Sequence, residues 1–204
     1  TILLNTPIER DIVSPSGKIV GVHKSFLVPA APQSIKADDG GANIKLRGIW
    51  LIRKFDDEAT FEAMLAGDPE ALPFEEIESE NGFLTTGITE LWNIFTGANA
   101  NTANSSRLQI GIGDSSTAFS ASQTGLQSTD GNILWQTVDS GYPTVSGATL
   151  TAQATIGVTA ALYTWNEMGL KNSATGTVYD RVVANQGTKS GSNVWTAQVA
   201  ITAA

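Results

Sequence analysis

Charge nearly disappears from this chain halfway along. Residues 1–99 carry eight Lys or Arg and fifteen Asp or Glu, whereas residues 100–204 carry four and five. Thr, Ser, Gly, Ala and Asn take their place, a composition open to a linker as well as to strands. Periodicity favours strands. Alternating or β-branched runs recur at Leu108–Ile112, Ile133–Val138, Thr149–Ile156, Ala161–Trp165, Thr177–Val183 and Val194–Ile201. Turn residues bound each run, among them Gly113-Asp114, Asp130-Gly131-Asn132, Ser146-Gly147 and Ser190-Gly191-Ser192-Asn193. Short strands at such intervals predict a β-sandwich or jelly-roll-like module. Thr and Ser on their outer faces fit strand propensity alone, and fit equally a surface covered by a neighbour.

The charged half is mixed. Ile44–Phe55 reads as a strong strand, and Asp56–Ala66 as a short helix with Phe61, Met64 and Leu65 at helical spacing and Gly67 as its stop. Thr86–Thr96 reads as a second helix with Thr85 or Thr86 as N-cap and Ile88, Leu91, Trp92 and Phe95 on one face. That stripe is expected to cap the sandwich core. The acidic run Glu75-Glu76-Ile77-Glu78-Ser79-Glu80 is expected to be a solvated connector, since like charges in sequence repel unless water surrounds them. Residues 1–42 hold four of the seven prolines and read as an extended arm, with at most short strands near Lys18–Val22 and Ser25–Val28. The expected division is an arm over residues 1–42, a strand, helix and connector over 43–80, and a mainly β sandwich over 81–204 that should fold alone. Ordering an arm costs about 1–2 kcal/mol of backbone entropy per residue, so contacts made elsewhere must offset it. The candidates are Ile2, Leu3, Leu4, Ile8, Ile12, Val13, Phe26, Leu27 and Val28, docking on another subunit. Removal of residues 1–14 should then leave the rest folded.

The residue inventory restricts chemistry. With no Cys there is no disulfide, thiolate metal site or cysteine nucleophile. His23 is the sole imidazole, which leaves no two-His metal site in one chain and makes a Ser-His-Asp triad depend on the arm. Gly111-Ile-Gly-Asp-Ser-Ser-Thr117 lacks the Lys of a phosphate loop and reads as a strand running into a turn. Asp114, Asp130, Asn132 and Asp139 do not follow a known calcium-loop spacing, and turns favour the same residue types. The five Trp residues all fall in predicted strands or helices, which is the core reading. No enzyme activity, cofactor or metal is therefore expected. A net charge of −8 makes nucleic acid a poor partner, and no apolar run has the roughly 18 residues that would span a membrane. The start on Thr1 fits removal of an initiator Met, and the expected setting is a cytoplasm.

From about residue 81 to 204 the order of segments resembles a module of tailed-bacteriophage virion proteins. The resemblance is carried by the Gly82–Gly97 helix segment, by Leu108-Gln-Ile-Gly-Ile-Gly-Asp-Ser-Ser-Thr117 and by Gln123-Thr-Gly-Leu126. It continues through Asp139-Ser-Gly-Tyr-Pro143 and Thr164-Trp-Asn-Glu-Met-Gly-Leu-Lys-Asn172 to Gly187-Thr-Lys-Ser-Gly-Ser-Asn-Val-Trp195. The family implies a β-sandwich without catalytic role, in head decoration or in tail and fibre proteins. No heptad or collagen-like shaft repeat is visible, which favours a capsid cement or decoration protein on the head surface, assembled in the bacterial host cytoplasm. Its expected partners are the major capsid protein and copies of itself, as a trimer or other homo-oligomer. A tail, collar, baseplate or fibre component is the alternative reading, and a carbohydrate-binding adhesin module is a more distant one.

Overall fold

In the computed structural model, which describes residues 8–26, 33–35, 44–129 and 131–203, two β-sheets face each other across one core. The elements, in chain order, begin with β1 (Ile8–Val13), β2 (Ile19–Phe26), β3 (Gln33–Ile35), β4 (Ile44–Phe55) and α1 (Glu58–Leu65). They continue with β5 (Glu75–Glu80), β6 (Gly82–Phe83), α2 (Thr85–Phe95), β7 (Leu108–Gly113) and β8 (Ile133–Thr137). Last come β9 (Thr144–Ser146), β10 (Thr149–Ile156), β11 (Thr164–Asn172), β12 (Val178–Thr188) and β13 (Val194–Ala203). The first sheet has eight strands in the order β1-β2-β5-β4-β13-β10-β9, with β3 also on β4; the second has five, β6-β12-β11-β7-β8. The fold is mainly β and sandwich-like, as the strand spacing predicts.

Alternation explains the core. Trp50 and Ile52 of β4, Ala152 and Ala154 of β10 and Ala197 and Val199 of β13 point inward from the first sheet. Leu108, Ile110 and Ile112 of β7 and Met168 and Leu170 of β11 meet them from the second. Small residues on β10 and β13 leave room for the Trp165 and Trp195 rings, which meet edge to face with centroids 4.7 Å apart. Of the run expected as a strand at Ala161–Trp165, only Thr164 and Trp165 belong to one. Ala161 has φ +52, and β11 starts only at Thr164.

The expected division of the chain does not follow the sheets. Over Val194–Ala203, β13 pairs with β4, so the 43–80 segment supplies a central strand to the sandwich assigned to 81–204. The arm is also corrected. Residues 8–26 form the β1–β2 hairpin, and one continuous strand, β2, replaces the two short ones expected. β2 lies parallel to β5, which draws it into the sheet. Removing residues 1–14 would therefore remove a whole strand. Within that hairpin Ile12 is half-buried and Val13 exposed, and Ile8 and Phe26 take part through their backbones. Ile2, Leu3, Leu4, Leu27 and Val28 lie outside the described residues.

Candidate functional site

The acidic run is an interior strand of the first sheet. β5 sits between β2 and β4, whose cations answer its carboxylates. Glu76 accepts from Arg53 Nε at 2.8 Å and meets His23 Nδ1 at 3.2 Å, while Glu78 lies 3.7 Å from His23 Nε2 and Glu80 pairs with Arg47. These residues share one face; on the other, Glu75 pairs with Lys24 and with the buried Lys54, and Ile77 and Ser79 face the core. Burial pushes the Glu75 carboxyl up, but its hydrogen bonds from Lys24 and Lys54 outweigh that and hold it below the usual range. Sequence reading missed this because the neutralising charges arrive from strands far away in the chain. His23 thus sits within this ladder, hydrogen-bonded to Glu76.

The second sheet carries a network that its low charge count conceals. Glu167 of β11 and Arg181 of β12 are wholly buried and joined at 2.6 Å through Arg181 Nε. The connection from β7 to β8 closes over them. Gln127 N and Ser128 N donate to Glu167, and Arg181 donates to Gln123 Oε1 at 3.0 Å and Thr117 O at 2.9 Å. Together these bonds pin a long polar loop across the outer face of the sheet. Charges inside the otherwise apolar run Val178–Val183 are the signal that could have disclosed it.

Between the sheets lies Asp180, also wholly buried. Trp50 Nε1 donates to it at 3.2 Å from the first sheet, Leu170 N at 2.8 Å from the second, and Asn81 Nδ2 from the turn before β6. Burial away from any cation raises its pKa to about 7, against the pull of those three donors. Asn81 Oδ1 is buried without a partner, so a protonated Asp180 beside a turned Asn81 amide would supply one. Since the folded pKa lies above the unfolded value of 3.8, the native state holds a proton that the unfolded chain has released. The resulting stabilisation is full below about pH 3.8 and is lost as pH rises through 7. Urea midpoints should accordingly fall between about pH 5 and pH 8, and Asp180→Asn should flatten that slope. A slope unchanged in the variant would assign the effect to another group.

The residues considered for calcium are occupied locally. Asp114 accepts from Ser128 Oγ and from Asn132 Nδ2 at 2.7 Å, and Asp139 from Thr155 N at 2.9 Å and Gln153 Nε2 at 3.2 Å. Asp130 lies outside the described residues, among which no group of three His, Asp or Glu side chains is placed to share a metal ion.

Two features offer a surface. Helix α2 does not cap the core with its apolar stripe. It seats instead through Gly87, where a Cβ would come within 2.3 Å of Tyr179 O, and through the buried Glu90, which accepts from Asn99 Nδ2. Leu84, not a Thr, is the N-cap; Leu84 N and Thr85 N donate to Tyr179 O and Ala121 O, so no hydroxyl cap is required. This seating turns Leu91, Trp92 and Phe95 outward, with Phe95 82% exposed and Trp92 45%, and the two rings in edge-to-face contact. Trp92 is thereby an exception to the core reading, and Trp135 is half-buried beneath Lys171 Nζ, 3.9 Å from its ring centroid. Beside α2, an apolar pocket of about 290 Å³ opens between the sheets at one end of the sandwich. Its walls include Leu46 and Ile201 of the first sheet, Leu108 and Leu170 of the second, Leu91 of α2 and Val145 of β9. Among the described residues no helix is long and apolar enough to cross a membrane. Comparison with protein-family models, curated proteins and solved structures finds no match.

Proposed function

We propose that this chain is a structural protein of a tailed-bacteriophage virion, a cement or decoration protein that binds the head shell and stabilises it through protein–protein contacts. The observation that carries the reading is the outward apolar face of α2. A helix that has an inward seat through Gly87 and Glu90, yet presents Leu91, Trp92 and Phe95 to solvent, keeps an aromatic surface suited to a protein partner. The resemblance over residues 81–204 supports the same reading. So does the disposition of the buried charges, which are spent on joining strands and loop to one another. The major capsid protein and further copies of this chain are the partners. Quantifying the chain against the major capsid protein in purified particles tests the assignment. Copy numbers commensurate with the shell lattice are expected, and a handful per particle would move the chain to a collar, baseplate or fibre.

A further inference from the structure

Strand β8 stands at one edge of the second sheet and carries no charge along Ile133-Leu-Trp-Gln-Thr137. An apolar edge of this kind pairs with a further strand unless charge, a bulge or a cover prevents it. The nearby edge of β10 is closed by Asp139, whose N donates to Gln153 O and whose carboxylate accepts from Thr155 N. Among the described residues no strand closes β8. Its backbone pattern shows which groups face outward. Val138 N donates to Leu108 O at 3.2 Å, so the pair that follows Gln109–Thr137 is a hydrogen-bonded one. Bonded and non-bonded pairs alternate in an antiparallel ladder, which places Ile110–Gln136 and Ile112–Leu134 in the bonded set. Ile133, Trp135 and Thr137 therefore turn their N–H and C=O groups away from β7, towards the edge.

The largest side chain of β8 leaves that edge open. The Trp135 indole lies back across β7, where a Cβ on Gly111 would come within 2.3 Å of it, and Lys171 Nζ of β11 stands 3.9 Å from its centroid. Both contacts lie on the side away from the edge. A second copy of β8 fits the outward groups. A two-fold axis at Trp135, perpendicular to the sheet, sets Trp135 against its counterpart and Ile133 against Thr137 of the other copy. All three pairs match outward groups with outward groups, keep each side chain on its own face and bring no two charges together. Each pair exchanges two hydrogen bonds, about six in all. The other edges lack this fit. On β1 the two-fold registers centred on the strand oppose Arg10 to Arg10 or Asp11 to Asp11, like charges that repel. β3 and β9 have only three residues and β6 two.

We propose that two copies of this chain pair through β8, antiparallel about Trp135, and join the five strands of each into one continuous sheet. The pairing rests on the reading that copies of this chain are partners of one another, and it names the strand they share.

The register itself supplies the test. The chain has no Cys, so introduced thiols are the only ones present. Residues opposed in a hydrogen-bonded pair have Cα atoms about 5.5 Å apart, within reach of a disulfide. A one-to-one mixture of Ile133→Cys and Thr137→Cys chains, treated with a thiol oxidant, should give a covalent dimer. Neither chain alone should, because each introduced thiol then lies about 13 Å along the strand from its counterpart. In sedimentation over a concentration series the unaltered chain should reach a dimer. Ile133→Lys with Thr137→Lys sets Lys against Lys in both outer pairs and should weaken that dimer by about tenfold or more. Ile133→Lys with Thr137→Glu sets opposite charges there and should keep it within about threefold of the unaltered chain. Both double variants should keep the circular dichroism melt, since Ile133 is only half-buried and Thr137 is exposed. A chain that stays monomeric throughout, cross-linking equal in the mixture and in either chain alone, or a Lys–Glu variant no tighter than the Lys–Lys one would overturn the pairing. Shell binding, measured in parallel, separates the two claims. A dimer that does not bind shells removes only the cement reading, and a monomer that binds them removes only this pairing.

Discussion

A fragment of residues 81–204 should show no cooperative melt, even though the compositional break near residue 100 invites a domain boundary there. The fragment would lack β4, the ten-rung partner of β13, and with it Trp50, Ile52 and Phe55, none of which is exposed. Burying each such side chain is worth about 1.5–3 kcal/mol, so the three supply about 5–9 kcal/mol. A domain is stable by only about 5–15 kcal/mol in total. The cut would also take away the Trp50 Nε1–H that Asp180 accepts, and would leave a long apolar edge on β13 open to aggregation. Circular dichroism melts of the fragment and the full chain provide the comparison. A sharp transition in the fragment near that of the full chain would restore the boundary.

Arg181→Ala should destabilise the folded chain by about 3–5 kcal/mol, the usual loss when one member of a buried ion pair is removed and its partner stays charged. Here the stranded partner would be Glu167, with only Gln127 N and Ser128 N to compensate it. Arg181 also holds Thr117 O and Gln123 Oε1, so the loop above the sheet would lose its anchor. Replacing both partners by apolar residues, Glu167→Leu with Arg181→Met, should cost much less than the single change, because no uncompensated charge is left inside. Urea unfolding of the three variants reads the difference. Single and double changes with equal costs would mean that the pair acts by packing alone.

Much of the strand content was legible because each strand announces itself locally. Thr149–Ile156 alternates and ends at turns, and its bounds match β10. The surprises lie where a residue answers to something distant. Glu75–Glu80 looks like a solvated run until Lys24, Arg47, Arg53 and Lys54 are brought alongside it by β2 and β4. Among the described residues of the second half, four of the eight charged ones, Glu167, Asp180, Arg181 and Lys189, are buried, so a region almost without charge puts much of what it has inside. The outward turn of α2 was hidden for a related reason. Its stripe at helical spacing resembles any core-facing helix, and only the contact of Gly87 with the backbone of Tyr179 decides which side is down.

The central claim, that this surface attaches the chain to a phage head, is tested most directly by adding the purified chain to head shells that lack it. The unaltered chain should sediment with the shells and raise the temperature at which they rupture. Trp92→Asp with Phe95→Asp, which changes two exposed side chains, should leave the melt of the free protein in place and weaken shell binding by about thirtyfold or more. An unaltered chain that stays in the supernatant, or a variant that binds and protects shells as well as the unaltered chain does, would contradict the account.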